Sequence, residues 1–234
     1  MGDIRDAIRT AADPVRAEGA ARFFKTAPGQ YGAGDKFLGI TVPVLRKIAR
    51  ANRGLSTAEV LKLLRSPWHE ERLVALLILV DAHRHAEPKR RLELHRAYLA
   101  NTEYVNNWDL VDTSAEELVG THIATKGTQM LARLARSKSL WERRIAIIAT
   151  FSTIKGGNFQ PTILVAEQLL NDDHDLIHKA VGWMIREIGN RNIAVERDFL
   201  DRHASAMPRT ALRYAIEKFS DKERRHYMLM RVAP

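Results

Sequence analysis

The sequence predicts an all-α chain built as a superhelix of paired-helix repeats, and three observations carry that prediction. Helix-capping signals recur from one end to the other. No stretch alternates with period two over a strand's length while carrying β-branched enrichment. A helix pattern also returns loosely, with anchors about 30 to 40 residues apart: Trp68…Arg72…Ala75, Trp108…Asp112…Ala115 and Trp141…Arg144…Ala146. Leu176…Lys179-Ala180 and Met207…Arg213…Ala215 look like later copies. Paired-helix repeats of this period stack into a curved solenoid with equivalent helices side by side on its concave surface. Trp68, Trp108, Trp141 and Trp183 would then approach one another. An irregular helical bundle would show a similar pattern.

The elements follow in order. Asp13-Pro14 reads as N-cap and first helical residue of a helix through Phe24. Residues 27–43 carry Pro28, Gly29, Gly32, Gly34 and Gly39 and read as a loop, anchored by Phe37, Leu38 and Ile40. Gly32 to Gly34 lack the Gly-Lys-Ser/Thr of a phosphate loop and mark only a turn. Pro43 starts a short helix to about Ala51. Ser56 to Glu59 form a capping box. Ser66-Pro67 caps a helix to about Arg84, and Glu87-Pro88 opens one to about Ala100. Next comes a helix headed by Trp108, with Asn107 as cap and Asp109 in its first turn, closing near Gly120. A shorter helix spans about 128–136. Ser139 to Glu142 form a second capping box, leading to about Ile154 before Gly156-Gly157 breaks the chain. Pro161 opens a helix to Leu170, Asp173 one ending at Gly189, Ile193 one ending near Ala206 and Pro208 one to Phe219. Ser220 to Glu223 cap the last.

The totals bound the function. A chain of 234 residues with 45% apolar and 28% charged residues is an ordinary globular sequence, and the repeats read best as a single domain over 1–234. A formal charge of +9 and a pI near 10 favour an anionic partner, nucleic acid first. With no cysteine, disulfides, thiolate nucleophiles and Cys-ligated metal centres are excluded. The longest apolar run, Leu73 to Val80, is too short to span a bilayer, so no membrane partner is expected. Asp3, Arg5 and Asp6 stand where a signal peptide needs apolar residues, which points to a cytoplasmic protein.

Few residue constellations carry chemistry. His174 and His178 stand at i, i+4, but Asp175 replaces the metalloprotease Glu and no third ligand follows at a fixed interval. The 172–175 stretch reads better as a helix N-terminus, and no metal or cofactor is expected. Glu116-Glu117 fits a solvated face, and no nucleophile elbow is present. Basic residues cluster at Arg143-Arg144, at Lys179 and Arg186, at Arg209 and Arg213, and at Lys222 to Arg225. On repeating helices they suggest a track for an anionic ligand, although each alone fits a solvated face. Lys179, Trp183 and Arg186 share one face, and a tryptophan between cations suits stacking on nucleic acid as well as it suits a core. Trp108 and Asp112 are one turn apart. At 100° per residue, Val111, Ser114, Ala115 and Leu118 form one arc, with Trp108 and Asp112 at its edge. They read either as core and cap or as a site.

Four segments together resemble the DNA alkylation repair family of AlkD-like glycosylases. They are Phe37-Leu38-Gly39-Ile40-Thr41-Val42-Pro43, Asn107-Trp108-Asp109-Leu110-Val111-Asp112, Trp141-Glu142-Arg143-Arg144-Ile145-Ala146, and His178-Lys179-Ala180-Val181-Gly182-Trp183-Met184-Ile185-Arg186-Glu187. The resemblance runs from about Arg22 to Arg231. It implies an all-α superhelix of HEAT-like repeats with a basic concave face for double-stranded DNA. It also implies removal of cationic alkylpurines such as 3-methyladenine and 7-methylguanine, by a protein read as a monomer. The family's catalytic carboxylate falls on Asp112, and its two tryptophans beside the lesion deoxyribose fall on Trp108 and Trp183. Its arginine on the DNA backbone falls on Arg144, with Arg143 adjacent. Arg143, Lys179 and Arg186 join it as DNA-binding candidates from the basic track.

Elementary chemistry agrees with a single essential carboxylate. A ring-alkylated purine carries positive charge, so it departs neutral and needs no general acid. Charge builds instead on an oxocarbenium-like sugar. One carboxylate near C1′ stabilises that cation and orients a water, and tryptophan faces add quadrupole attraction. Most glycosylases flip the base into a pocket; the resemblance implies one that reads the lesion through backbone and sugar. A non-enzymatic DNA-binding repeat protein and a protein–protein scaffold are the competing readings.

Overall fold

The computed structural model describes residues 2–123 and 127–230; Arg231, where the resemblance ends, lies outside them. Every regular element among the described residues is helical, and the one extended pairing is an isolated parallel bridge between Lys36 and Trp68. Contacts group the chain into two compact units, Met1–Leu118 and Val119–Pro234.

The first unit holds α1 (Gly2–Thr10), α2 (Pro14–Phe23), α3 (Val42–Ala51), α4 (Thr57–Leu64), α5 (His69–Arg84), α6 (Pro88–Leu99) and α7 (Trp108–Leu118). Its centre is α5, whose run from Leu73 to Leu76 and from Ile78 to Val80 is buried, as expected of a helix apolar on all sides. It packs on α3 and α7 and also on α4 and α6. Alternate helices thus lie side by side, with α4 and α6 behind them, which is the paired-helix repeat the sequence suggests. Asp13 caps α2 by accepting the Arg16 N–H, and Ser56 and Glu59 form both arms of the capping box on α4.

Two elements here differ from the sequence reading. α1 was not expected; it docks through Ile4 and Ile8, one turn apart and both fully buried. α5 starts at His69 rather than at Ser66-Pro67. The Ser66 hydroxyl accepts the Trp68 N–H and the His69 N–H donates to the Lys36 carbonyl, so the chain stays extended until Trp68.

The second unit holds α8 (Gln129–Ala135), α9 (Leu140–Ala149), α10 (Phe151–Lys155), α11 (Gln160–Leu169), α12 (Asp175–Gly189), α13 (Ile193–His203), α14 (Arg209–Ala215) and α15 (Asp221–Leu229). α12 is central, packing on α9, α11, α13 and α14. The helix expected through Ile154 is broken at Thr150, whose hydroxyl and N–H both donate to the Ile147 carbonyl and close the last turn of α9. Ser139 caps α9, and Ser220 and Glu223 form a complete capping box on α15.

Candidate active site

α7 begins at Trp108 because Asn107 caps it. The buried Asn107 side chain accepts the Trp108 N–H (2.9 Å) and its carbonyl accepts the Val111 N–H (3.1 Å). The apolar arc is as counted, with Val111, Ser114, Ala115 and Leu118 all buried. Trp108 and Asp112 sit half-buried at its edge. They border a cleft of about 640 Å³ framed by α3, α5 and α7. Arg46 and Arg50 of α3, Arg53 just past its end, and Arg84 of α5 line the same cleft. Arg53 pairs with Asp81 (3.1 Å) and Arg84 with Glu117 (3.0 Å). Arg46 and Arg50, one turn apart and exposed, have no ion pair among the described residues. A carboxylate and an indole are thus set opposite guanidinium groups, an arrangement able to hold phosphates and face a sugar cation together. Asp112 also makes itself felt beneath the helix. Burial pushes the Tyr98 phenol up, a hydrogen bond with Ser114 opposes this, and the Asp112 charge adds to the rise.

The residue beside Trp108 has a role that sequence reasoning missed. Asp109 faces His69 at the start of α5, with Nε2 2.8 Å from its Oδ2. The other ring nitrogen, Nδ1, lies 2.9 Å from Asp35 Oδ2, and Arg72 donates to Asp35 Oδ1 at 2.6 Å. Burial alone would depress the His69 imidazole, but hydrogen bonds and charge from Asp109 and Asp35 raise it to about 9. Both ring nitrogens therefore carry protons at neutral pH. Burial would raise Asp35, and its bonds to His69 and the Arg72 charge hold it below the usual carboxylate range. Next to this pair, Glu70 accepts the Leu38, Gly39 and Ile40 N–H groups and fixes the loop. Aromatic rings complete the layer. Phe24 stacks on Trp108 (5.4 Å, 22°) and on Phe37 (4.9 Å, 15°), and Phe37 stacks on His69 (4.5 Å). Trp108 has ring partners in Phe23 and Phe24. The sequence signal was slight: His69, Glu70, Glu71 and Arg72 form a charged turn ahead of an apolar helix, and all four are buried. Arg46 and Arg50, one turn apart on α3, with Arg53 just past its end, were a clearer signal, also passed over.

The remaining site candidates lie in the second unit. Trp183 of α12 is half-buried, donating its indole N–H to Glu187 (3.2 Å), with Phe151 at 6.2 Å. Arg144 is 5% exposed and its guanidinium donates to the Leu176 carbonyl (2.6 Å). Arg143 pairs with Asp172 (2.5 Å) and donates to the Ser137 and Lys138 carbonyls. Lys179 pairs with Asp175 (2.8 Å) and Arg186 with Glu217. His174 caps α12, its Nδ1 accepting the Leu176 N–H, while the His178 ring bonds the Asp172 carbonyl. Among the described residues no three His, Asp or Glu side chains converge as a metal would require.

The match of residues 4–219 to the family described as DNA alkylation repair enzyme decides the affiliation. The chain belongs to that family. Membership carries a role in DNA repair and makes DNA the partner. Among solved structures, the protein is similar to a predicted DNA alkylation repair enzyme from Enterococcus faecalis, with a TM-score of 0.69 at 14% identity over 90% of this chain and 97% of that one. At that identity the likeness is one of fold. No curated protein matches the chain.

Proposed function

We propose that the protein is a monofunctional DNA glycosylase that excises cationic alkylpurines, such as 3-methyladenine and 7-methylguanine, from double-stranded DNA. One observation carries the reading: Asp112 and Trp108 share the wall of a cleft whose opposite side presents the exposed arginines Arg46 and Arg50. The N-glycosidic bond breaks toward the base, which keeps the bonding electrons and leaves neutral. Asp112 faces the oxocarbenium that remains and orients water for addition at C1′, and the surplus proton passes to solvent. Trp108 packs the lesion deoxyribose. The resemblance assigns Trp183 to the same sugar and Arg144 to the DNA backbone, and the proposal includes those roles. No cofactor or metal enters the step, and the protein acts as a monomer.

The test is release of free base from methylated duplex DNA. Asp112→Asn keeps DNA affinity and loses roughly a hundredfold or more in excision rate, the scale of one preorganised electrostatic partner. Normal excision by that variant would remove Asp112 from the mechanism. Uracil, a neutral leaving group that needs an acid, is released poorly. Binding without release by the wild-type protein would instead indicate a non-enzymatic DNA-binding role.

A further inference from the structure

We infer that His69 is a positioning residue for this site: held between Asp35 and Asp109, it ties the first turn of α7, and with it Trp108 and Asp112, to the 35–40 loop and α5. The inference rests on the proposed roles of Trp108 and Asp112.

The geometry is specific. One imidazole, 2% exposed, bridges two carboxylates at 2.9 and 2.8 Å. Asp109 stands between the two candidate site residues in sequence, on the helix that carries both. Arg72 holds Asp35 from the far side, so Asp35 is fixed before it meets the imidazole. The Phe37 and Phe24 rings pack on the imidazole face, and Phe24 also packs on Trp108, which gives a second path from His69 to the indole. Only a doubly protonated ring can donate to both carboxylates. A neutral ring leaves one of them facing a lone pair in a buried place, and α7 would then shift. The first turn of α7 is already under demand: Asn107 Nδ2 and Asp109 Oδ1 are buried without a hydrogen-bond partner among the described residues. The charged groups around His69 are Asp35 of the loop, Asp109 of α7, and Glu70 and Arg72 of α5. Arg16 of α2 lines the same small cavity.

The test begins with the indole N–H resonance of Trp108 in the full chain, followed by NMR as pH rises. In the wild-type protein it shifts with a midpoint near pH 9, where His69 gives up its proton. His69→Gln abolishes that step. Asp35→Asn, which leaves the histidine in place and removes one anchor, moves the step to lower pH. A wild-type resonance that stays constant to pH 10, or one that titrates unchanged in folded His69→Gln, overturns the inference. In the base-release assay His69→Gln lowers kcat about tenfold or more, the scale of a misplaced catalytic group, with KM little changed. A normal kcat in a variant that is merely less heat-stable makes His69 structural only. Failure of the wild-type protein to release base would sink the glycosylase reading, whereas the indole titration judges the clamp without any turnover.

Discussion

His69 and Glu196 are buried ionisable groups that hold protons past the pH at which the unfolded chain would release them. His69 is raised from 6.5 to about 9 by its two carboxylates. Its contribution to stability is therefore complete below pH 6.5 and is lost as pH climbs through 9, up to ~3 kcal/mol in all. Glu196 is raised from 4.5 to about 8, because burial outweighs the attraction of Arg186 and Arg197. The unfolded chain gives up this proton first, so stability falls between pH 4.5 and 8. Both shifts act in the same direction, and urea denaturation should show stability declining steadily from neutral pH to pH 9. Glu196→Gln removes one of the two slopes. It should add about 1–3 kcal/mol at pH 8 and almost nothing at pH 4. A variant no more stable than its parent at pH 8 would mean that Glu196 ionises freely in the fold.

At the scale of elements, the closeness of α12 and α14 depends on Gly182. A Cβ there would overlap the Ala211 carbonyl and stand 2.6 Å from the Tyr214 Cβ. Gly182→Ala gains up to ~1 kcal/mol of helix propensity and forces two helices apart, at a cost of about 1–3 kcal/mol or more. The net expectation is a lower Tm despite the better helix former, and a raised Tm would show that the helices separate freely. Helix caps of this kind of chain are local and were legible: Asp13, Ser56, Ser139 and Ser220 each accept the N–H that their spacing predicts. The edge position of Trp108 and Asp112 was legible too, because a 100° count over α7 needs no neighbour. What could not be read depends on partners far along the chain. The extended start of α5 is set by Lys36, and the His69 clamp joins residues 34 and 40 positions apart. α1 has no proline or capping signal, and it is held by its two buried isoleucines and by the pairing of Arg5 with Glu71 of α5.

For the molecule as a whole, the charge of +9 is real, but its availability is uneven. The basic residues that the sequence nominates in the second unit are largely engaged: Arg143 with Asp172, Lys179 with Asp175, Arg186 with Glu217, and Arg209 with the Met228 carbonyl. An engaged guanidinium must first lose a partner before it meets a phosphate, so it contributes less than a free one. Arg46 and Arg50 in the first unit have no such partner among the described residues, and they face the cleft that holds Asp112. Each cation that neutralises a phosphate releases condensed counterions, so log K falls with log salt by about 0.9 per contact. Arg46→Ala with Arg50→Ala should therefore lower the slope for duplex DNA by close to 2 and weaken all sequences alike. Arg143→Ala should leave the slope nearly unchanged and act on stability instead, because it breaks the Asp172 pair. Fluorescence anisotropy on labelled duplexes across a salt series measures both. An unchanged slope in the α3 double variant would show that the DNA backbone does not pass over α3, and the cleft would then lose the phosphate contacts that set Asp112 against the sugar.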